Sequence, residues 1–154
     1  MEIRDVETSD ATALLLFRCS GGDVWARDVE AGIREDLPSA LAKGQYRAMG
    51  AWINGDLAGV VAWRRYGVDD WWLLDLLASS LEHRGVGVAK ALYRKLIERA
   101  RNESVRLVFS RVDRQNYQMI GLQEHFRAVG EIDPNDVDYL LYVLDLDDGL
   151  AVQP

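Results

Sequence analysis

Residues Leu73 to Leu96 read LLDLLASSLEHRGVGVAKALYRKL, and three successive parts of this stretch decide the fold. From Trp71 to Ala78 the chain is apolar apart from Asp75, with Asp69-Asp70 before the run and Ser79-Ser80 after it. A run this short and this apolar predicts a strand buried on both faces. From Val88 onward, apolar side chains fall at Val88, Ala91, Leu92, Leu96, Ile97 and Ala100, the spacing of one helical face. Between strand and helix lies Arg84-Gly85-Val86-Gly87-Val88-Ala89, which carries no acid and has glycine at two alternate positions. Backbone N–H groups at a helix start have no partner within the helix, so several can point at one anion where side-chain bulk is small. Arg84 adds a fixed positive charge at the rim. The loop is built to hold phosphate.

Two nucleotide-binding patterns do not fit it. A Walker loop requires G-x-x-x-x-G-K-[S/T], which is absent. A dinucleotide fingerprint requires G-x-G-x-x-G directly after the first strand, but Lys90 stands at the third glycine and a long antiparallel-type region comes first. The stretch instead resembles the signature of the GNAT superfamily of acyl-CoA-dependent N-acyltransferases. That loop runs Q/R-x-x-G-x-G/A and is matched here as Arg84-x-x-Gly87-x-Ala89. The resemblance implies that Arg84, Gly85, Val86, Gly87, Val88, Ala89 and Lys90 cradle the pyrophosphate of coenzyme A.

Working outward, Glu2 to Val6 reads as a short first strand. Ser9-Asp10 can cap a helix through Ala11 to Phe17, ending near Gly21-Gly22. Asp23 can cap a second helix with Trp25, Val29, Ile33 and Leu37 at every fourth position; Pro38 is expected to kink or end it. Its other face carries Asp28, Glu30, Glu35 and Asp36, read as a solvated face. Tyr46 to Ile53 and Leu57 to Tyr66 form a hairpin around Asn54-Gly55, a pair suited to a type I′ turn. After the long helix, Val105 to Val112 closes a βαβ unit around the loop. A short helix over Tyr117 to Phe126 follows, then strands Phe126 to Ile132 and Asp138 to Leu146, joined through Asp133-Pro134-Asn135-Asp136.

The order β-α-α-β-β-β-α-β-α-β-β is that of the GNAT fold. The expected class is therefore α/β (α+β): a single mixed, mostly antiparallel sheet with splayed central parallel strands. At 154 residues the chain predicts one domain, residues 1–154, with its core over about 3–146 and a frayed tail at 147–154. No apolar run approaches a membrane span, and Met-Glu-Ile-Arg-Asp is not a signal peptide, so the expectation is a cytoplasmic protein. A single cysteine excludes an internal disulfide. The net charge of −7 argues against nucleic-acid binding and mildly favours a cationic substrate such as an amine.

In the GNAT fold the pantetheine arm pairs like an extra strand with the strand before the loop. The resemblance implies that the backbone of Leu77, Ala78 and Ser79 does this here, although Ser79 stands where the family usually has an apolar residue. An N–H in the same segment can stabilise the oxyanion of the thioester. For the general base, Asp75 is the single acid in its strand; partial burial would raise its pKa and suit it to proton removal. The alternative is a structural pair with Arg64, Arg65 or Arg111. Asn116 matches the asparagine that opens the family's N-x-x-A-x-x-x-Y-x-x-x-G-F pattern, implying a contact to CoA. The tyrosine of that pattern is missing: Gln123 or Gly121 stands there, depending on the alignment. Tyr117 is the available substitute for the general acid, with core packing as its default role.

Other conspicuous residues have plainer readings. Cys19 is a buried core thiol, and His83 a solvated loop histidine with a CoA phosphate contact as the alternative. His125 offsets the dipole at the end of the last helix. One ring of Trp71-Trp72 packs in the core and the other lies toward the opposite face. Trp25 and Tyr46 pack in the core or line an acceptor pocket. No metal site is expected from two scattered histidines and one cysteine. The expected function is transfer of acetyl from acetyl-CoA to a primary amine, on a small molecule or on a protein N-terminus or lysine. Homodimers are frequent in the family and a homodimer is among the expectations. The alternative is a catalytically weak or inactive module that binds acyl-CoA as a sensor or partner-binding subunit.

Overall fold

The computed structural model describes residues 1–147, so the expected frayed tail lies outside them apart from Asp147. In chain order the elements are β1 (Glu2–Asp5), α1 (Ala11–Leu15), α2 (Val24–Ala31), α3 (Leu37–Ala42), β2 (Arg47–Ile53), β3 (Asp56–Tyr66), β4 (Trp71–Ser79), α4 (Val88–Asn102), β5 (Leu107–Asp113), α5 (Tyr117–His125), β6 (Val129–Ile132) and β7 (Tyr139–Asp145). The strands form a seven-stranded sheet in the order β1-β2-β3-β4-β5-β7-β6. Pairing is parallel for β4–β5 and antiparallel for β1–β2, β2–β3, β5–β7 and β6–β7. This is the mixed sheet and the element order expected from the sequence. Asn54 and Gly55 take φ of 52° and 85°, the two successive positive values that a type I′ turn requires. No described helix is long and apolar enough to cross a membrane.

The described residues pack as two compact units, one of Met1–Arg64 with Leu76–Tyr93, the other of Arg65–Asp75 with residues 94–147. In the first, Val6, Leu14, Phe17, Cys19, Ile33, Leu37, Ala48, Val60 and Ala62 form a buried cluster, with Leu76 and Ala78 of β4 packed against it. Asp10 does not cap α1 through its side chain. Its carboxylate accepts the Glu7 N–H at 2.9 Å and two bonds from Arg4, fastening the turn ahead of the helix to β1. Nor does Pro38 end the second helix. A π-helical turn over Gly32–Asp36 joins α2 to α3, and Pro38 falls in the first turn of α3. Pro38 directly follows this turn, whose last bond runs from the Leu37 N–H to the Gly32 carbonyl, and the helix runs on to Ala42.

In the second unit Trp72 and Leu74 of β4 are buried together with Leu96, Ile97 and Ala100 of α4, Val108 and Val112 of β5, and Phe126. Trp71 lies on the other face of its strand, half-exposed, its ring centroid 5.3 Å from that of Phe109. The expectation that β4 is buried on both faces is therefore wrong. Leu73 is only half-buried and Asp75 is exposed, because the covered face is the one bearing Trp72 and Leu74. The parallel pairing of β4 with β5 runs through Trp72–Val108, Leu73–Phe109 and Leu74–Ser110 and stops there, although both strands continue.

Candidate functional site

The candidate anion site lies in the first unit, where β4 gives way to α4. Ser80 is buried; its N–H donates to the Ala58 carbonyl at 2.8 Å and its hydroxyl lies 2.8 Å from His83 Nδ1. His83 is thus held within a turn, Leu81–His83, rather than left to solvent. Gly85 and Gly87 have φ of +79° and +83°, a region that other residues enter at a cost of about 1–2 kcal/mol. A Cβ built on either glycine meets no atom within 4 Å, so both glycines border open space. The first bond of α4 runs from the Ala91 N–H to the Gly87 carbonyl at 3.0 Å. The N–H groups of Val88, Ala89 and Lys90 precede it and have no acceptor within the helix. Left-handed glycines, open space and leading N–H groups together suit a phosphate-bearing ligand.

What fixes the start of α4 is a residue the sequence reading passed over. Gly59 of β3 is buried, and a Cβ there would overlap the Val88 side chain and lie 3.0 Å from both the Ala78 carbonyl and Leu92 Cδ1. Glycine inside a strand pattern is a known mark of close approach, so a signal was present. Val88 and Leu92, both essentially fully buried, rest where the missing side chain would be.

Arg84 is exposed, and one of its guanidinium nitrogens is tied to a distant backbone carbonyl. Its Nη2 donates to the Cys19 carbonyl, and a Cβ on Gly21 would lie 3.4 Å from its Nη1. On the other side of the same residue, the Cys19 N–H donates to Glu30 Oε1 at 2.9 Å. The Cys19 thiol is buried as expected; burial first, then Glu30, pushes its pKa up to about 11 against the opposing effect of Arg84. It is protonated at neutral pH and unsuited to nucleophilic chemistry. Leu77, Ala78 and Ser79 of β4 are half-buried in this same unit.

Asp75, Asn116 and Tyr117 belong to the second unit. Asp75 is exposed, not partly buried as expected. Two of the arginines considered as its partners are committed elsewhere. Arg65 pairs with Asp70, while Arg111 bonds Asp133 at 3.2 Å and Asp136 at 3.4 Å and stacks 3.5 Å from the Tyr139 ring. Asp133 is held below the usual carboxylate range, chiefly by the Asn135 N–H and further by Arg111, with burial opposing. Asn116 caps α5, its Oδ1 accepting the Met119 N–H at 3.1 Å. Tyr117 is 77% exposed, so the default of core packing is overturned. At Gly121, one of the two positions aligned with the missing tyrosine, an added Cβ would meet nothing within 4 Å. Trp25 and Tyr46 are half-buried, Tyr46 against the core cluster of the first unit.

A sequence model of the acetyltransferase (GNAT) family matches residues 15–126. Among solved structures, the chain is similar to the PaiA N-acetyltransferase of Thermoplasma acidophilum in complex with coenzyme A, at 15% identity and a TM-score of 0.70, covering 94% of this chain and 99% of that one. It is similar to the ribosomal-protein-S18-alanine N-acetyltransferase of Escherichia coli at 17% identity and a TM-score of 0.70, covering 94% and 93%. A bacterial toxin gives a TM-score of 0.78 at 14% identity, covering 95% and 90%. At such identities these likenesses concern the fold. No curated protein sequence matches the chain.

Proposed function

We propose that this chain, which belongs to the acetyltransferase (GNAT) family and is an acyltransferase, moves an acetyl group from acetyl-CoA to a primary amine by direct attack. The observation that carries the reading is the loop at the start of α4: two left-handed glycines face open space beside the leading N–H groups of a 15-residue helix. In this reading Gly85, Val86, Gly87, Val88, Ala89 and Lys90 hold the pyrophosphate through backbone N–H groups, and Leu77, Ala78 and Ser79 pair with the pantetheine. Acetyl-CoA supplies an activated acyl group as thioester. An amide N–C bond forms, the thioester C–S bond breaks, and the proton lost by the amine nitrogen is balanced by one delivered to the thiolate. Holding both reactants makes the attack effectively unimolecular. Asp75 is the proposed base, acting directly or through water, and Tyr117 the proposed acid. Asn116 contributes to the CoA site from the N-terminus of α5. The acceptor is a small amine, or a protein N-terminus or lysine.

A second reading is favoured by Gly121 and by the exposure of Asp75. With no tyrosine at the usual place and no buried carboxylate on β4, the domain would bind acyl-CoA as a sensor or partner-binding subunit. One experiment separates the two. Thiol release from acetyl-CoA is followed against a panel of polyamines, amino acids, aminoglycosides and peptides, beside a CoA thermal-shift titration. Amine-dependent release supports the transferase. A thermal shift with no release across the panel supports the binding module. With neither, both readings fail, since saturating CoA at about 100 times its Kd stabilises a binding fold by about 2.7 kcal/mol.

A further inference from the structure

We infer that Arg84 is a positioning residue that ties the phosphate loop to the segment between α1 and α2, so that filling the loop orders that segment. The inference rests on the reading of Gly85 to Lys90 as the CoA loop. Everything it uses lies in the first unit. The segment Leu16 to Asp23 has no regular structure of its own beyond its ends, and its middle is held from both sides at one residue. The Cys19 carbonyl accepts from Arg84 Nη2, while the Cys19 N–H and, at 3.3 Å, the Ser20 N–H donate to Glu30 Oε1 of α2. A backbone bond runs beside this clamp, from the Leu81 N–H to the Arg18 carbonyl at 2.9 Å. The guanidinium also lies along Gly21, whose absent side chain leaves room for it, and the Leu81 side chain approaches the same glycine.

The consequence follows from where Arg84 sits in the chain. It directly precedes Gly85, so its backbone belongs to the loop while its charged head belongs to the other segment. Glycines at 85 and 87 allow the loop a wide range of backbone conformation when empty. A ligand that selects one conformation of the loop also fixes the origin of the Arg84 side chain, and with it the bond to Cys19. The coupling is reciprocal, because a perturbation of the Cys19 segment must alter ligand affinity by the same factor. A cation in the loop that only attracted phosphate would need no such partner. Here one guanidinium nitrogen, Nη2, donates to a carbonyl 65 residues away.

The test is backbone hydrogen exchange of peptides covering residues 16–23, with and without saturating CoA, in the full chain and in Arg84→Ala and Arg84→Lys. Calorimetric CoA affinity and thermal melts are measured on the same samples, the melts reporting whether each variant is folded. In the wild type CoA is expected to slow exchange over residues 18–22 at least tenfold. In folded Arg84→Ala, CoA still binds, within about tenfold of wild-type affinity, but the protection of residues 18–22 is lost. Arg84→Lys, which can still place one donor near the carbonyl, restores part of it and remains informative if the alanine variant does not fold. Protection undiminished in the variants overturns the inference. So does a folded variant that has lost CoA binding altogether, which would make Arg84 a phosphate ligand. Failure of the wild type to bind CoA overturns the loop reading beneath it and is seen separately, by calorimetry.

Discussion

Replacing Gly59 by alanine tests how the proposed phosphate loop is built without touching it. The added methyl would overlap Val88, and it would stand 3.0 Å from the Ala78 carbonyl and from Leu92 Cδ1. The carbonyl belongs to β4 and cannot turn aside cheaply, and Val88 is buried and β-branched, so the first turn of α4 must shift outward. Overpacking of this kind costs about 1–3 kcal/mol. Against it, alanine restricts the unfolded chain more than glycine does, which returns about 0.5–1 kcal/mol. The net expectation is destabilisation by about 1.5 kcal/mol, or a fall in Tm of roughly 3–6 °C for a chain of this size. The same shift moves the Val88 N–H. Loss of one well-aligned bond to a charged group, at about 1.4 kcal/mol, weakens CoA about tenfold. Urea denaturation gives the first number and calorimetric titration with CoA the second. A variant as stable as the wild type, with CoA affinity within twofold, would show that Gly59 does not set the position of the helix start.

Three further outcomes are expected. Gly87→Glu places a carboxylate and a left-handed non-glycine residue where the anion is proposed to sit; it costs about 1–2 kcal/mol of stability and abolishes CoA binding by calorimetry, and unchanged affinity would refute the loop assignment. Asp75→Asn, assayed with whichever amine the panel identifies, lowers kcat about 100-fold while the CoA dissociation constant stays within twofold; an unaffected kcat would assign proton removal to water or another group. Asp133 has a folded pKa below its unfolded value, so its contribution to stability is complete above the ordinary carboxylate range near pH 4 and is lost as pH falls through the lower, folded value. The stability difference between wild type and Asp133→Asn, from urea titrations between pH 7 and pH 3, should therefore be constant at high pH and shrink below about pH 4. A difference that widened on acidification would contradict the assignment.

Features written in consecutive residues were legible in the sequence. Asn54-Gly55 turns as its two left-handed conformations require, and α4 begins at Val88, where the apolar periodicity begins. Features set by residues distant in the chain were not. That Arg84 faces Cys19, and that Gly59 makes room for Val88, depends on which segments the fold brings together. Asp75 was misjudged for the same reason: an apolar run around an acid shows that the strand is covered, but not on which faces. For Tyr117, position at the start of a helix suggested packing, whereas its side chain lies outside the core. A loop's capacity to take an anion resides in its own backbone and so is written in consecutive residues, whereas the surroundings of Asp75 and Tyr117 are set by distant ones.

The π-helical turn over Gly32–Asp36 also bears on which insertions and deletions this chain tolerates. Apolar residues at 25, 29, 33, 37 and 41 step by four, and in a regular α-helix each such step overshoots a full turn by about 40°. Four steps would carry the stripe about 160° around the axis, so that Trp25 and Leu41 faced nearly opposite ways. The wider π turn takes up part of that drift, and Val29, Ile33, Leu37 and Leu41 all reach the same core. A single residue deleted between Gly32 and Asp36 would make the helix more regular. Because a π turn spans one more residue than an α turn for nearly the same rotation, the residues on either side of the deletion would keep nearly the same phase. The turn thus absorbs one residue without turning the stripe, and relatives lacking that residue should carry their apolar stripe at a spacing nearer 3.6 than 4.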